Sequence, residues 1–488
     1  ANNNAITQMT KLHNFFIHTC ILLLIDLILR KGSECVRIHL YFITKLLHKI
    51  RSFCVRLFIF VFCSLYVGFK IIPIMENNSK QPLLTICTVF ALCFIIAFVT
   101  NLAGSMGIIV QDQFNTSNAL SQLGTVANFI AYACMGIPGG ILLKKKGYKV
   151  TALTAVVLGL VGLSIQFASG YAQSFAIYVA GAFVAGFSVC LLNVVVTPLL
   201  NVLGGGGNKG NQMIQFGNTF NSMGGTLAPV LLGYLMGTAI GDAQVSDAAT
   251  AMIVALCIFA ISLVVLLFVT IPEPHKQQNE GKSSVSANDK HSPLSFVHFV
   301  LGAIAIFFYV GIEVSIPTTA NLYMSNHPQV GPVVAGSLVV LYWFLMLIGR
   351  LIGGLLGAKV SSKLMLTSVS ALAIALVLGI MFVPPTLVKL PYIGSVPLNM
   401  LCMVACGLCT SIMWGAIFNL STEGLGKYTP MATGIFMTLV CGGGVLPYVQ
   451  NVLADVPSIG YLGSYVLIAV ALLYLLMYAL IGSKNRKT

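Results

Sequence analysis

The fold class predicted for this chain is an all-α membrane protein of twelve transmembrane helices arranged as two six-helix repeats. Three observations predict it. The 488 residues are 57% apolar and only 8% charged, against about a quarter charged in a soluble protein, so the chain cannot cover its own surface in water. From residue 83 onward, apolar runs of bilayer length follow one another, broken by short polar or Gly/Pro-rich stretches. Landmark Gly and Pro positions of the first half recur in the second at a nearly constant offset. A soluble enzyme is thereby excluded. The net charge of +14 does not indicate nucleic acid, because its Lys and Arg form short clusters between apolar runs rather than a basic face.

Residues 1–74 stand apart. They carry nine Lys or Arg against Asp26 and Glu34, half of the chain's net charge, and no small-residue cleavage site follows their first apolar run. Met75 then opens a short polar lead-in. The expectation is that residues 1–74 are a basic hydrophobic extension translated ahead of the true start. The alternative is one or two additional hydrophobic segments.

Twelve apolar segments follow, over 83–110, 122–143, 149–170, 175–202, 214–240, 249–271, 294–323, 332–358, 362–383, 391–419, 430–453 and 459–482. Helix is the expected conformation of each, since lipid offers no partner to an unpaired backbone. Residues 75–271 make the first six-helix bundle, 272–293 a polar cytoplasmic linker, and 294–488 the second bundle. One set of alternate loops holds Lys144, Lys145, Lys146, Lys149, Lys209, Lys276, Lys282, Lys290, Lys359, Lys363 and Lys427. The other holds Asp112, Asp242, Asp247 and Asp455, with Lys389 the lone base. Positive charge stays on the cytoplasmic side, so both ends of the twelve-span unit are expected there.

The repeat lies in ordered matches. Gly124 and Gly139-Gly140 correspond to Gly336 and Gly353-Gly354, Gly186 and Gly204 to Gly407 and Gly426, and Gly224-Gly225 with Pro229 to Gly442-Gly443 with Pro447. A parallel repeat of this kind is the architecture of alternating-access secondary transporters.

Polar groups inside spans are costly and tend to face a cavity. Amides both donate and accept hydrogen bonds, which suits them to replacing water around hydroxyls. The candidates for solute binding are Asn101, Asn128, Asn193, Thr197, Asn218, Asn221 and Asn321, with Trp343 and Trp414 as aromatic platforms; Gln166, Thr318, Thr319, Gln215, Gln450 and Asn451 are further buried polar positions. Helix-to-helix hydrogen bonding is the competing role of the amides, and packing that of the rings. Asn193 and Thr197 share a helix face, as do Asn218 and Ser222. Glu313 is the carboxylate deepest within a span. Apolar surroundings disfavour its charged form, which makes it the proton-coupling candidate. Arg350 and Glu423, toward the cytoplasmic ends of spans eight and ten, are the candidate gate pair.

The short basic loop around Lys144–Lys149, together with Ile137–Lys145, Val202–Gly204, Asn218–Ser222, Tyr309–Gly311, Gly349-Arg350 and Gly442–Gly444, resembles the fucose permease group of the major facilitator superfamily. The resemblance runs from about residue 83 to 480. It implies sugar uptake coupled to protons across a bacterial inner membrane, with a sugar, a proton and the lipid bilayer as partners, no cofactor, no metal and a monomer as the working unit. It also implies carboxylates in the first and fourth spans. Here the first span has no acid, and Asn193 stands at the fourth-span position. Another polar solute, such as an amino sugar, sialic acid or a muropeptide-like compound, or a facilitator working without protons, is the alternative. No pattern of a phosphate-binding loop is present. The eight His lie mostly in the N-terminal segment and loops, which disfavours an enzyme, while a transporter-derived membrane sensor would want a soluble output domain.

Overall fold

The protein is described by a computed structural model covering residues 83–113, 123–236, 249–273, 292–327, 330–390 and 394–484. The predicted extension 1–74 and nearly all of the predicted linker lie outside the described residues. The rest belongs to one unit, Gln81–Thr488.

Nine long helices come first: α1 Leu83–Gln113, α2 Leu123–Lys146, α3 Tyr148–Ala172, α4 Phe175–Leu203, α5 Gly207–Met236, α6 Ala249–Phe268, α7 Val297–Ser325, α8 Gly331–Leu356 and α9 Ser362–Phe382. A short antiparallel hairpin, β1 Leu387–Leu390 with β2 Gly394–Pro397, follows. The last three apolar stretches are segmented: α10 Leu398–Thr410 with α11 Met413–Thr422, α12 Thr429–Thr438 with α13 Gly442–Ala454, and α14 Gly460–Gly463 with α15 Tyr465–Met477.

Among the described residues, ten helical stretches are long and apolar enough to cross a membrane. The ten leave out α5 and α6, two of the twelve expected spans. Helix α5 is thirty residues long but carries Asn208, Lys209, Asn211, Gln212, Gln215, Asn218 and Asn221. Helix α6 is twenty residues long and strongly apolar throughout. Helix α5 also begins at Gly207 rather than 214, which brings Asn211 and Gln212 into the helix.

Packing is pseudo-symmetric. In the first half α1 packs on α5, α2 and α3 on α4, and α3 on α6; in the second, α7 packs on α13, α8 and α9 on α10, and α9 on α15. The two sets meet through α2 against α12 and α5 against α8. Both meetings occur at the end of the bundle that carries Lys144, Lys145 and Lys146, here called the basic end. There the backbones of α2 and α12 touch. A side chain at Gly140 would put its Cβ 2.9 Å from the Gly434 Cα and from the Pro430 carbonyl oxygen. Only glycine allows that approach.

The loop between α6 and the linker is tied to the same end. Gly147, at φ +86°, turns the chain into α3, and the Glu273 carboxylate accepts the first backbone N–H groups of that helix, Tyr148 at 2.9 Å and Lys149 at 3.0 Å. The Lys149 ammonium in turn donates to the Leu267 carbonyl at the end of α6, at 2.9 Å. An acid at a helix N-terminus and a cation at a C-terminus both complement the helix dipole.

Candidate functional site

Arg350 is the centre of the site. It lies on α8, less than two turns from the basic end, and its side chain is 9% exposed. A buried guanidinium must satisfy its donors and its charge. One terminal nitrogen, Nη2, donates to Glu313 Oε1 on α7 at 3.2 Å. The other, Nη1, reaches across to α5 in the first half. It donates to Ser222 Oγ at 2.6 Å, to the Asn218 carbonyl at 3.3 Å and to Asn221 Oδ1 at 3.4 Å. Arg350 thus joins α7 and α8 of one half to α5 of the other.

Glu313 is held from several sides. The Tyr309 hydroxyl, one turn earlier on α7, lies beside its carboxylate. The Tyr342 hydroxyl donates to the Glu313 backbone carbonyl at 3.2 Å and shares a hydrogen bond with Thr410 Oγ1 at 3.1 Å. The Trp414 ring packs edge-on against Tyr309, centroids 6.2 Å apart, and against Phe436. Three donors at this seam, Asn218 Nδ2, Arg350 Nε and the Tyr309 hydroxyl, are buried without a hydrogen-bond partner. Unpaired buried donors are costly, so the seam can offer them to a ligand's oxygens.

Arg350 and Glu423 are not brought together. The Glu423 side chain is exposed at the basic end, and its backbone carbonyl lies 3.0 Å from His298 Nε2. The physical reason is that the helix ends at Thr422, which turns residue 423 outward, while Arg350 points into the bundle toward Glu313. The side-chain hydrogen bonds between the halves nearest this end come from amides. Gln212 Nε2 donates to the Gly354 carbonyl on α8 and Gln215 Nε2 to the Ile412 carbonyl, each at 2.9 Å. Ile412 sits at the break between α10 and α11.

The remaining candidates divide by neighbourhood. Asn221 Nδ2 donates to the Cys93 carbonyl on α1 at 3.1 Å, and Asn101 packs at Gly225 with its amide on the Ala97 carbonyl at 2.9 Å. Both therefore mark the contact of α1 with α5. Asn193 Nδ2 donates to the Tyr132 hydroxyl at 2.6 Å, and Asn128 lies beside Gly186 with its own Nδ2 buried and unpaired. These two mark the contact of α2 with α4, where Thr197 is also buried. Asn321 is half-buried on α7. Trp343 is 38% exposed and lies seven residues before Arg350, which puts it on the same face of α8.

Sequence reasoning missed Tyr132, Asn211 and Gln212 and gave Tyr342 and Ser222 no role of their own. A signal was available for part of this set: Asn211, Gln215, Asn218 and Ser222 are spaced by four, three and four, the stripe of one helix face.

The Major Facilitator Superfamily family matches residues 86–448, and the chain belongs to it. Among curated relatives, a glucose/galactose transporter of Brucella abortus is 28% identical over 413 residues, 84% of this chain and 96% of that protein. A putative glucose/galactose transporter of Helicobacter pylori is 25% identical over 431 residues, 85% of this chain and 100% of that protein. The L-fucose-proton symporter of Escherichia coli is 22% identical over 411 residues, 78% of this chain and 89% of that protein. Among solved structures, the transporter FucP in its outward conformation superposes with a TM-score of 0.71 at 19% identity, covering 82% of this chain and 98% of that one. This structural likeness establishes the fold.

Proposed function

We propose that this chain is a secondary active transporter that imports an uncharged sugar or sugar derivative, together with protons, across a bacterial inner membrane by alternating access. The observation that carries the reading is the polar seam between α5, α7 and α8. A cation and an anion cancel there, and three unpaired buried donors remain, one of them the hydroxyl of Tyr309, whose ring packs on Trp414. Such a site favours a neutral, hydroxyl-rich solute over sialic acid, because an anionic substrate would meet a carboxylate with no surplus positive charge. The relatives named for glucose, galactose and fucose transport point to the same substrate class.

Within this reading, α5 and α6 complete a twelve-span unit of two six-helix bundles, residues 75–271 and 294–488, joined by a cytoplasmic linker at 272–293. Helix α5 is polar because it lines the path rather than facing lipid. The basic end is the cytoplasmic end, and the contacts of Gly140, Gly434, Gln212 and Gln215 close it. Asn218, Asn221, Trp343 and Trp414 contact the sugar, with Asn101, Asn128, Asn193, Thr197 and Asn321 shaping the cavity. Glu313 carries the proton, in place of the acids missing from spans one and four, and the monomer is the working unit.

Uptake into proteoliposomes tests this. Labelled neutral monosaccharides, amino sugars and sialic acid are presented with and without an inward proton gradient. A neutral sugar is expected to accumulate only with the gradient. No uptake of any neutral sugar overturns the substrate class, and accumulation indifferent to the gradient removes the proton.

A further inference from the structure

We propose that Arg350 is the positioning residue that transmits the charge of Glu313 to the contact between the two halves, so that neutralising Glu313 releases α5 from α8. This rests on the reading of Glu313 as the proton carrier but assigns the coupling to a different residue and a specific set of bonds.

The geometry gives Arg350 two separate jobs on its two terminal nitrogens. Nη2 holds the carboxylate of its own half, while Nη1 alone holds three oxygens on α5, in the opposite half. One planar guanidinium cannot turn away from one set without moving against the other. The charged and titratable groups around Glu313 are few. Tyr309 comes from its own helix, and Tyr342 and Arg350 from α8. Cys406 of α10 lies near Tyr342, and Tyr465 of α15 bonds the Ile316 carbonyl on the next turn. Of these, only Arg350 is charged at neutral pH. Among the described residues no charged group other than Arg350 faces Glu313, so Arg350 alone balances it.

With Glu313 ionised, the pair is neutral and Nη1 stays on Ser222, Asn221 and the Asn218 carbonyl. With Glu313 neutral, the same guanidinium is a buried charge without a counter-ion, a state several times costlier than the pair it replaces. Its relief lies toward water, and moving there withdraws Nη1 from α5. Gln212 on Gly354 and Gln215 on Ile412 then hold α5 at the basic end without their neighbour one to two turns deeper. The closed basic end is therefore tied to a charged Glu313, and protonation loosens it. That is the order an inward-moving proton requires.

Distance measurement between the basic ends of α5 and α8 tests this without sugar or gradient. Spin labels carried by noncanonical amino acids at Lys209 and Lys359, both exposed, leave the native cysteines untouched in the full chain in lipid nanodiscs. The wild type is expected to show mainly the short distance at pH 8 and a growing long-distance population as pH falls. Glu313→Gln should raise the long-distance population by about tenfold at pH 8 and abolish its pH dependence. Ser222→Ala removes the shortest bond to α5 and keeps the charge pair. It should shift the population in the same direction by less and retain the pH dependence, since the titrating pair is left intact. Arg350→Lys keeps the charge without the fork and should lose the pH dependence. A wild-type distribution in Glu313→Gln or in Ser222→Ala overturns the proposal, even where sugar uptake proves proton-driven. Shifted distributions alongside proton-independent uptake leave the Arg350 linkage standing and remove the proton coupling instead.

Discussion

At the scale of single residues, chemistry concentrates where the sequence breaks its own apolar pattern. Glu313 is legible by eye because it is a lone acid in an apolar run, and its importance does not depend on knowing its partner. Its partner was not legible. Arg350 and Glu423 are both near helix ends in sequence and of opposite sign, which made them a natural pair, yet the end of a helix decides that Glu423 turns outward. Side-chain direction at a terminus depends on where the last hydrogen-bonded turn falls, and composition does not fix that within a residue or two. The Arg350–Glu313 pairing gives a direct prediction. Glu313→Gln should abolish accumulation of sugar against its gradient while exchange of labelled for unlabelled sugar continues. Counterflow assays in proteoliposomes distinguish the two, and retained uphill accumulation would exclude Glu313 as the proton carrier.

At the scale of elements, helix α5 shows where polar residues sit in a helix of bilayer length. Amides interrupt its apolar pattern, and two of them bond to α8 and to the break between α10 and α11. The glycine pairs have the complementary role. Because the Gly140 and Gly434 backbones are in contact, Gly140→Leu should prevent α2 and α12 from meeting, with an overpacking cost of about 1–3 kcal/mol in the closed state. The measurement is the maximal rate of sugar entry, expected to fall while the protein remains folded and inserted. By contrast, Glu273→Ala removes the carboxylate cap at the start of α3 and touches no proposed substrate contact. It should cost about 1 kcal/mol, seen as a few degrees in the melting midpoint of the purified protein, with the KM for sugar unchanged. A changed KM would mean that the loop takes part in the transport cycle.

At the scale of the whole molecule, the distribution of charge predicts an orientation, with the basic loops on the cytoplasmic side. An impermeant reagent applied to the outside of intact cells should modify single cysteines placed at Asp455 but not at Lys359 or Lys427. Labelling from outside at the Lys positions would invert the orientation. The sequence by itself determined that this is a multi-span membrane protein with two related halves, because bilayer length, the exclusion of unpaired backbone and the spacing of glycines are all one-dimensional signals. It also located the rare intramembrane acid. Only the tertiary structure decided which groups meet: that Arg350 holds Glu313 on one side and Ser222 on the other, that Asn193 bonds Tyr132, and that Gln212 and Gln215 reach across to Gly354 and Ile412. These contacts join residues between 37 and 197 positions apart in the chain. Their partners are chosen by helix rotation and packing, which a periodic apolar pattern leaves free.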